Sequence, residues 1–120
     1  MKLRLAPEHI RFRISKDEYE RLKNTEEISE ATHLSGGFRI RYQIASHSDG
    51  VSANGNALEL VHITTSAETT LILTVYHSAV EMLALPIHAK EGVKAFLTFD
   101  DGEMLTVAIE IDLSRHVENA

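Results

Sequence analysis

Strict alternation of basic and apolar residues is the feature that most restricts what this chain can fold into. It occurs in KLRLA at 2–6, in IRFRI at 10–14 and in FRIRYQI at 38–44. Successive side chains of a β-strand point to opposite faces of a sheet, so a period of two is typical of a strand with one face in the core. The alternation predicts three strands. Their inward-facing side chains include Leu3, Leu5, Phe12 and Ile14.

A short helix is expected directly after the second of these strands. The sequence SKDE at 15–18 matches the S-x-x-E capping box, in which the serine and glutamate side chains accept hydrogen bonds from backbone N–H groups at a helix start. Tyr19 and Leu22 are three residues apart, which places them on one helical face. We therefore predict a helix over 16–23.

The remaining sequence reads as strands separated by turns. The pair Gly36-Gly37, the DG and NG pairs within 49–56 and the segment DDGE at 100–103 are turn signals. Segment 78–85 fits either a short helix or an interrupted strand. Further strands are predicted at 27–34, 58–65, 69–77, 93–99 and 104–113.

These elements predict an α+β fold built on an antiparallel, curved or barrel-like sheet of about eight strands, with one short N-terminal helix. The strand beginning at Thr69 has only threonines as polar residues up to position 76, so we expect it to lie centrally in the sheet. No internal repeat or linker is visible, and 120 residues is a common size for one domain. Residues 1–120 are therefore assigned to a single domain.

Charge and composition narrow the classes of partner. The net charge is −6, but residues 1–41 hold nine of the twelve Lys and Arg and carry +2, whereas 42–120 carry −8. An acidic chain is a poor general nucleic-acid binder, because such affinity comes mainly from neutralising phosphates. The longest uncharged run, 69–80, is far short of the ~20 apolar residues that span a bilayer. Without a secretory signal or any cysteine, the chain is expected to be cytoplasmic.

No residue pattern indicates catalysis, a cofactor or a metal. Neither a glycine-rich phosphate loop nor a nucleophile elbow is present, and the lack of cysteine excludes thiolate metal sites. The histidines show no H-x-H or H-x₃-H spacing, although His62 and His77 fall near the ends of two neighbouring predicted strands. No catalytic or metal-binding residue is assigned. The seven histidines are His9, His33, His47, His62, His77, His88 and His116.

The arginines are the best candidates for a site. Alternation places them in pairs on common faces, with Lys2 and Arg4 as a third such pair, and like charges directly opposite destabilise a sheet unless acidic partners or an anionic ligand compensate. Glu110 and Asp112 share a face of the last strand and could supply the acid. The alternative is a surface that holds a phosphorylated or carboxylated small molecule. The candidate ligand-binding residues are Arg11, Arg13, Arg39 and Arg41.

The two ends of the chain resemble a known family. The opening KLRLAPEHIRFRISKDEYERL is similar to the start of a family of short bacterial proteins of unknown function, which begin K-I-R-I…N-x-I-R-x-R-L and continue into a short helix. The closing LTVAIEIDLSRHVE resembles that family's last strand, with departures at His9, Ile111 and Leu113. The resemblance implies no activity or cofactor. It implies that the defining part of the family includes Arg11, Arg13, Glu110 and Asp112.

Two functional hypotheses follow. The first is a non-catalytic binding or interaction module that self-associates through an edge strand, since no pattern indicates catalysis. The second is a small-ligand protein or enzyme that holds an anionic compound on an arginine-rich sheet face. The triphosphate-tunnel enzymes line a barrel with arginines, but their E-x-E-x-K signature is absent here, where the corresponding stretch reads KLRLA.

Overall fold

A computed structural model describes residues 1–85 and 91–112. These residues form eight strands, two α-helices and one 3₁₀ turn. In chain order the elements are β1 (Lys2–Ala6), β2 (His9–Ile14), α1 (Lys16–Lys23), β3 (Ile28–His33), the 3₁₀ turn (Ser35–Gly37), β4 (Arg39–His47), β5 (Leu58–Thr64), β6 (Glu68–Tyr76), α2 (His77–Leu83), β7 (Val93–Thr98) and β8 (Met104–Ile111).

The strands form two four-stranded sheets. The first sheet has the order β1-β2-β8-β7 and the second β3-β4-β6-β5. In each, the outer pairs are antiparallel and the two central strands are parallel. The α+β class and the central place of β6 are confirmed, but the expected single antiparallel, barrel-like sheet is wrong. Hairpins are local and can be read from turn signals, whereas the parallel pairs join strands that the turn signals do not connect.

The order strand-strand-helix-strand-strand occurs twice, first from β1 to β4 and then from β5 to β8. Each sheet takes the first hairpin of one half and the second hairpin of the other. The helices also correspond. In α1, the buried residues Tyr19 and Leu22 lie four and seven positions after the N-cap residue. In α2, the buried residues Val80 and Leu83 lie at the same distances from its N-cap residue. The topology therefore repeats even though the sequence shows no repeat.

One cluster of buried apolar side chains joins both sheets and both helices. Phe12 and Ile14 are fully buried in it, as the alternation predicts, and Leu3 packs against it. Leu5 does not belong to it, because 60% of its surface is exposed. Alternation fixes the face of the strand on which a residue lies, but it does not fix how far the core extends beneath an edge strand such as β1.

Helix α1 has the predicted bounds, and its capping box is confirmed. The Glu18 backbone N–H donates to Ser15 Oγ at 3.1 Å, and the Ser15 N–H donates to the Glu18 carboxylate at 2.8 Å. The same carboxylate accepts a hydrogen bond from the N-terminal ammonium of Met1, which also pairs with Glu30 at 3.0 Å. These contacts fix β1 and β3 to the start of α1. Segment 78–85, which fitted either a helix or a strand, begins with α2.

A buried hydrogen bond connects the two helices. The Tyr19 hydroxyl donates to the Val80 carbonyl oxygen at 2.8 Å. Burial, with a smaller contribution from the Glu20 charge, raises the pKa of Tyr19, so the hydroxyl keeps the proton that it donates. Val80 lies in the last turn of a seven-residue helix, where carbonyl groups have no intrahelical partner.

Replacing Tyr19 by Phe is expected to lower the free energy of unfolding by about 1–2 kcal/mol, because the Val80 carbonyl is left buried without a donor. Urea unfolding followed by circular dichroism measures this loss. Tyr42→Phe is the matched control, because its hydroxyl contacts the Thr32 hydroxyl at an exposed position. An equal loss in both variants would contradict the assignment.

Candidate functional site

The outward face of the first sheet concentrates basic side chains. In the antiparallel pair of β1 and β2, Lys2 lies opposite Arg13 and Arg4 lies opposite Arg11. The other face of the same pair carries Leu3 against Phe12, which belong to the core. Two directly opposed cation pairs are unfavourable in a sheet, so this arrangement needs negative charge beside it.

Glu110 supplies part of that charge. Strand β8 runs parallel to β2 with Glu110 in register with Arg13. Its two carboxylate oxygens each accept one hydrogen bond, from Arg11 Nη1 at 2.9 Å and from Arg13 Nε at 3.1 Å. Glu110 is only 5% exposed. The expected cross-strand ion pairs between IRFRI and the acidic closing strand are therefore confirmed for Glu110.

A cavity of about 220 Å³ opens on this face. Its described lining contains four cations and one carboxylate. A neighbouring cavity of about 100 Å³ is lined in part by Lys2, Arg13 and Asp112, and the Asp112 backbone N–H donates to the Ile14 carbonyl at 2.7 Å. The residues lining the larger cavity are Lys2, Leu3, Arg4, Arg11, Arg13 and Glu110.

The other two candidate arginines lie in the second sheet. Arg39 and Arg41 on β4 share the carboxylate of Glu68 on the parallel strand β6, with Nε to Oε1 distances of 3.1 and 3.2 Å. Thr70 also donates to Glu68, at 3.3 Å. The four arginines thus form two separate clusters, because β2 and β4 belong to different sheets. Sequence reasoning did not identify Glu68, since an isolated glutamate at a strand start carries no periodic signal.

The two clusters have the same arrangement of strands and charges. In each, an R-x-R strand lies in the middle of a sheet, parallel to a second central strand that provides a single glutamate. Two cations around one carboxylate leave each cluster with an excess of positive charge. The first cluster has the larger excess, because Lys2 and Arg4 stand beside it.

The histidines are dispersed. His62 lies on edge strand β5 opposite Leu71, whereas His77 begins α2 and pairs with Glu81. The two do not face each other across a pair of strands. Within 1–85 and 91–112 there is no group of three or more His, Asp or Glu that could hold a metal ion. His88 and His116 lie outside the described residues.

Comparisons with known proteins identify a family but no activity. A model of a family of unknown function, DUF7009, matches residues 1–118, so the chain belongs to that family. No curated protein and no solved structure matched the chain. No helix among the described residues is long and apolar enough to cross a membrane.

The Glu68 cluster predicts a pH dependence of stability. Hydrogen bonds from Arg39, and then from Arg41 and Thr70, outweigh desolvation and lower the pKa of Glu68. A carboxylate with a lowered folded-state pKa stabilises the fold above its unfolded value of about 4.3, and that contribution is lost as pH falls through the folded value. Glu68→Gln is therefore expected to destabilise the protein more at pH 7 than at pH 3.

Denaturant titrations at the two pH values measure the difference between wild type and variant. Glu26→Gln serves as the control, because the Glu26 side chain forms no hydrogen bond or ion pair with the described residues. A difference for Glu68→Gln that is the same at pH 7 and pH 3 would contradict the role of its charge.

Proposed function

We propose that this member of a family of unknown function is a binding module that holds a small phosphorylated or carboxylated ligand on the outward face of its first sheet. The observation that carries the proposal is the register of β1 and β2, which places Lys2 against Arg13 and Arg4 against Arg11. A solvent-exposed face with no binding role does not require like charges opposite each other, because such pairs weaken the sheet. A bound anion would turn the same arrangement into a stabilising one.

The carboxylate of Glu110 compensates only part of the positive charge on this face. Glu110 accepts one hydrogen bond from each of two arginines, and each guanidinium carries five N–H donors. Within the described residues, Lys2 and Arg4 form no ion pair. Planar guanidinium groups with remaining donors suit carboxylate and phosphate oxygens, which they bind in a bidentate manner.

Glu110 also has a positive role in this proposal. By pairing with Arg11 and Arg13, its carboxylate holds both guanidinium groups in a fixed geometry before a ligand arrives. Arg13 remains 41% exposed on its side chain and Arg11 20%, so both are accessible from the cavity. Preorganised donors lose less conformational entropy on binding.

The remaining features of the chain support binding in a reducing compartment. The absence of cysteine accords with a cytoplasmic location.

The lining of the cavity supports binding more than catalysis. Among its described residues, no serine, histidine or second carboxylate accompanies Glu110.

Arg4→Ala is expected to weaken the binding of pyrophosphate or citrate by about tenfold, the lower end of what a hydrogen bond to a charged group contributes. Isothermal titration calorimetry at constant ionic strength measures the affinity, with chloride as the reference anion. Arg21→Ala on α1 removes the same charge elsewhere and should leave the affinity unchanged, as should Arg41→Ala in the second cluster.

Glu110→Gln completes this test, because it acts in the opposite direction on binding and on stability. Without ligand, the variant should lose about 1–3 kcal/mol of stability, because the glutamine amide keeps one acceptor oxygen and cannot accept a hydrogen bond from both arginines in the same way. Its affinity for the anion should rise, because removing the negative charge of Glu110 from beside the ligand outweighs the loss of preorganised guanidinium groups. If no anion binds the wild type, or if Arg4→Ala and Arg21→Ala weaken binding equally, the proposed function is wrong.

A second candidate function is self-association through strand β5. Val61 and Ile63 are about half exposed on this edge strand, and no charged residue lies between 60 and 64. The other three edge strands each carry charged side chains, among them Arg4 on β1, Glu30 on β3 and Lys94 on β7. Natural proteins protect their edges with such charges, but the charged residue of β5, Glu59, lies near its start and is hydrogen-bonded to Ser52, which leaves 60–64 without that protection.

The pattern on β5 is complementary to itself. If two copies pair antiparallel about a two-fold axis at His62, Val61 of one copy lies opposite Ile63 of the other. A two-fold contact uses the same surface on both copies, and an apolar pair repeated across the axis meets that condition. The occupant we assign to this edge is therefore a second copy of the chain.

Ile63→Lys is expected to shift the protein from dimer to monomer, because the substitution places a charge opposite apolar side chains at the paired edge. Analytical ultracentrifugation over a concentration series gives the mass. Leu34→Lys, at an exposed position outside the strands, should leave the mass unchanged. A wild-type mass equal to the monomer at every concentration would exclude self-association through β5.

A further inference from the structure

The basic face of the first sheet continues onto strand β7, where a cation is followed by exposed apolar side chains. Lys94 and Phe96 point outward on β7, since Val93, Ala95 and Leu97 face the core. Lys94 lies opposite Ala108 of β8, and Ala108 lies opposite Arg11 of β2. Lys94 is therefore a further cation in the same row of the sheet as Arg4 and Arg11. The sequence did not indicate it, because a single lysine in VKAFLT gives no charge repeat.

Phe96 occupies the next outward position on the same strand. It lies opposite Thr106, which in turn lies opposite His9 on β2. Phe96 is 66% exposed, the highest value among the large apolar side chains described. Met104, 61% exposed, is its diagonal neighbour on the same face, because Met104 pairs with Thr98. The face thus has a cationic part and an adjoining apolar part.

His9 adds a polar atom to the boundary between these parts. Its Nε2 is buried and has no hydrogen-bond partner among the described residues. Buried polar atoms usually have a partner, and one without a partner calls for an explanation. On this face, His9 lies in the row of Phe96 and is flanked by Arg11 on its own strand.

We infer that the anion bound on this face carries an aromatic ring, and that the ligand is a mononucleotide whose phosphates lie at the basic cluster and whose base stacks on Phe96. This inference rests on the proposed function and specifies its ligand class. Every nucleobase presents a flat π-face that stacks on an exposed aromatic side chain. A plain phosphate or dicarboxylate would leave Phe96 and Met104 exposed.

The distance across the sheet fits such a ligand. Arg11 and Phe96 are separated by two strand spacings and by two residues along the strand, which places their Cα atoms about 12 Å apart. The arginine side chain reaches part of this distance from one end. A sugar between phosphate and base would lie over Thr106, which is partly exposed and has a small side chain.

A small ligand is favoured over a nucleic-acid strand by charge. The molecule carries a net charge of −6, whereas the cavity on this face is lined by four cations and one carboxylate. A long polyanion would extend past this face toward the acidic remainder, where repulsion opposes binding.

The test compares ATP with tripolyphosphate, which presents a similar chain of phosphates without the base. Calorimetric titration of the wild type should give an affinity about tenfold higher for ATP, a gain typical of one stacked base. Phe96→Ala should abolish this advantage and leave tripolyphosphate binding unchanged, whereas Phe96→Trp should retain it. Phe99→Ala is the matched control, because Phe99 is exposed but lies beyond the end of β7.

The outcomes separate this inference from the proposed function. Equal binding of ATP and tripolyphosphate would overturn the inference while leaving an anion site in place. Binding of neither compound would overturn both. Preferential binding of a ten-residue oligothymidylate over ATP, lost in Phe96→Ala, would overturn the assignment to a mononucleotide.

Discussion

The parallel pairing of β2 with β8 is the contact on which the rest of the structure depends. It joins segments 97 positions apart, at Arg13 and Glu110, and so brings the first and last hairpins into one sheet. On its inner side it places Phe12 beside Ile109, both fully buried. On its outer side it places a carboxylate between two arginines. The same register therefore organises the core and the basic face, and a shift by one residue would exchange the two.

The opposed cations on this face do not favour the fold, and this is the basis for proposing that they bind an anion. Opposed cations weaken the sheet, and the ion pairs with the buried Glu110 carboxylate offset part of that cost. The Arg11–Arg13–Glu110 and Arg39–Arg41–Glu68 clusters both show that one buried or half-buried acid orients two arginines. The first has Lys2, Arg4 and a cavity of about 220 Å³ beside it. These neighbours are the reason for placing the proposed binding face on the first sheet.

The repeated strand-strand-helix-strand-strand order explains how so short a chain encloses one core. Each half contributes one hairpin to each sheet, so neither half closes its sheets alone. Tyr19 and Val80 occupy corresponding positions in the two helices and are joined by a hydrogen bond. Folding must bring distant segments of the chain together, and closing such long loops costs conformational entropy. Contacts within the completed sheets offset that cost.

Local structure was determined by the sequence itself. Residues 15–23 specify α1 and its cap because a capping box and a helical face are short-range patterns, and the alternation in IRFRI assigns Phe12 and Ile14 to the core for the same reason. The alternation also predicts the face on which each arginine lies. It could not show that β2 and β4 belong to different sheets, that Leu5 extends beyond the core or that Lys94 and Phe96 continue the basic face. Those features depend on which strands become neighbours, and the free energy that selects neighbours comes from side chains far apart in the chain, so only the tertiary structure decided them.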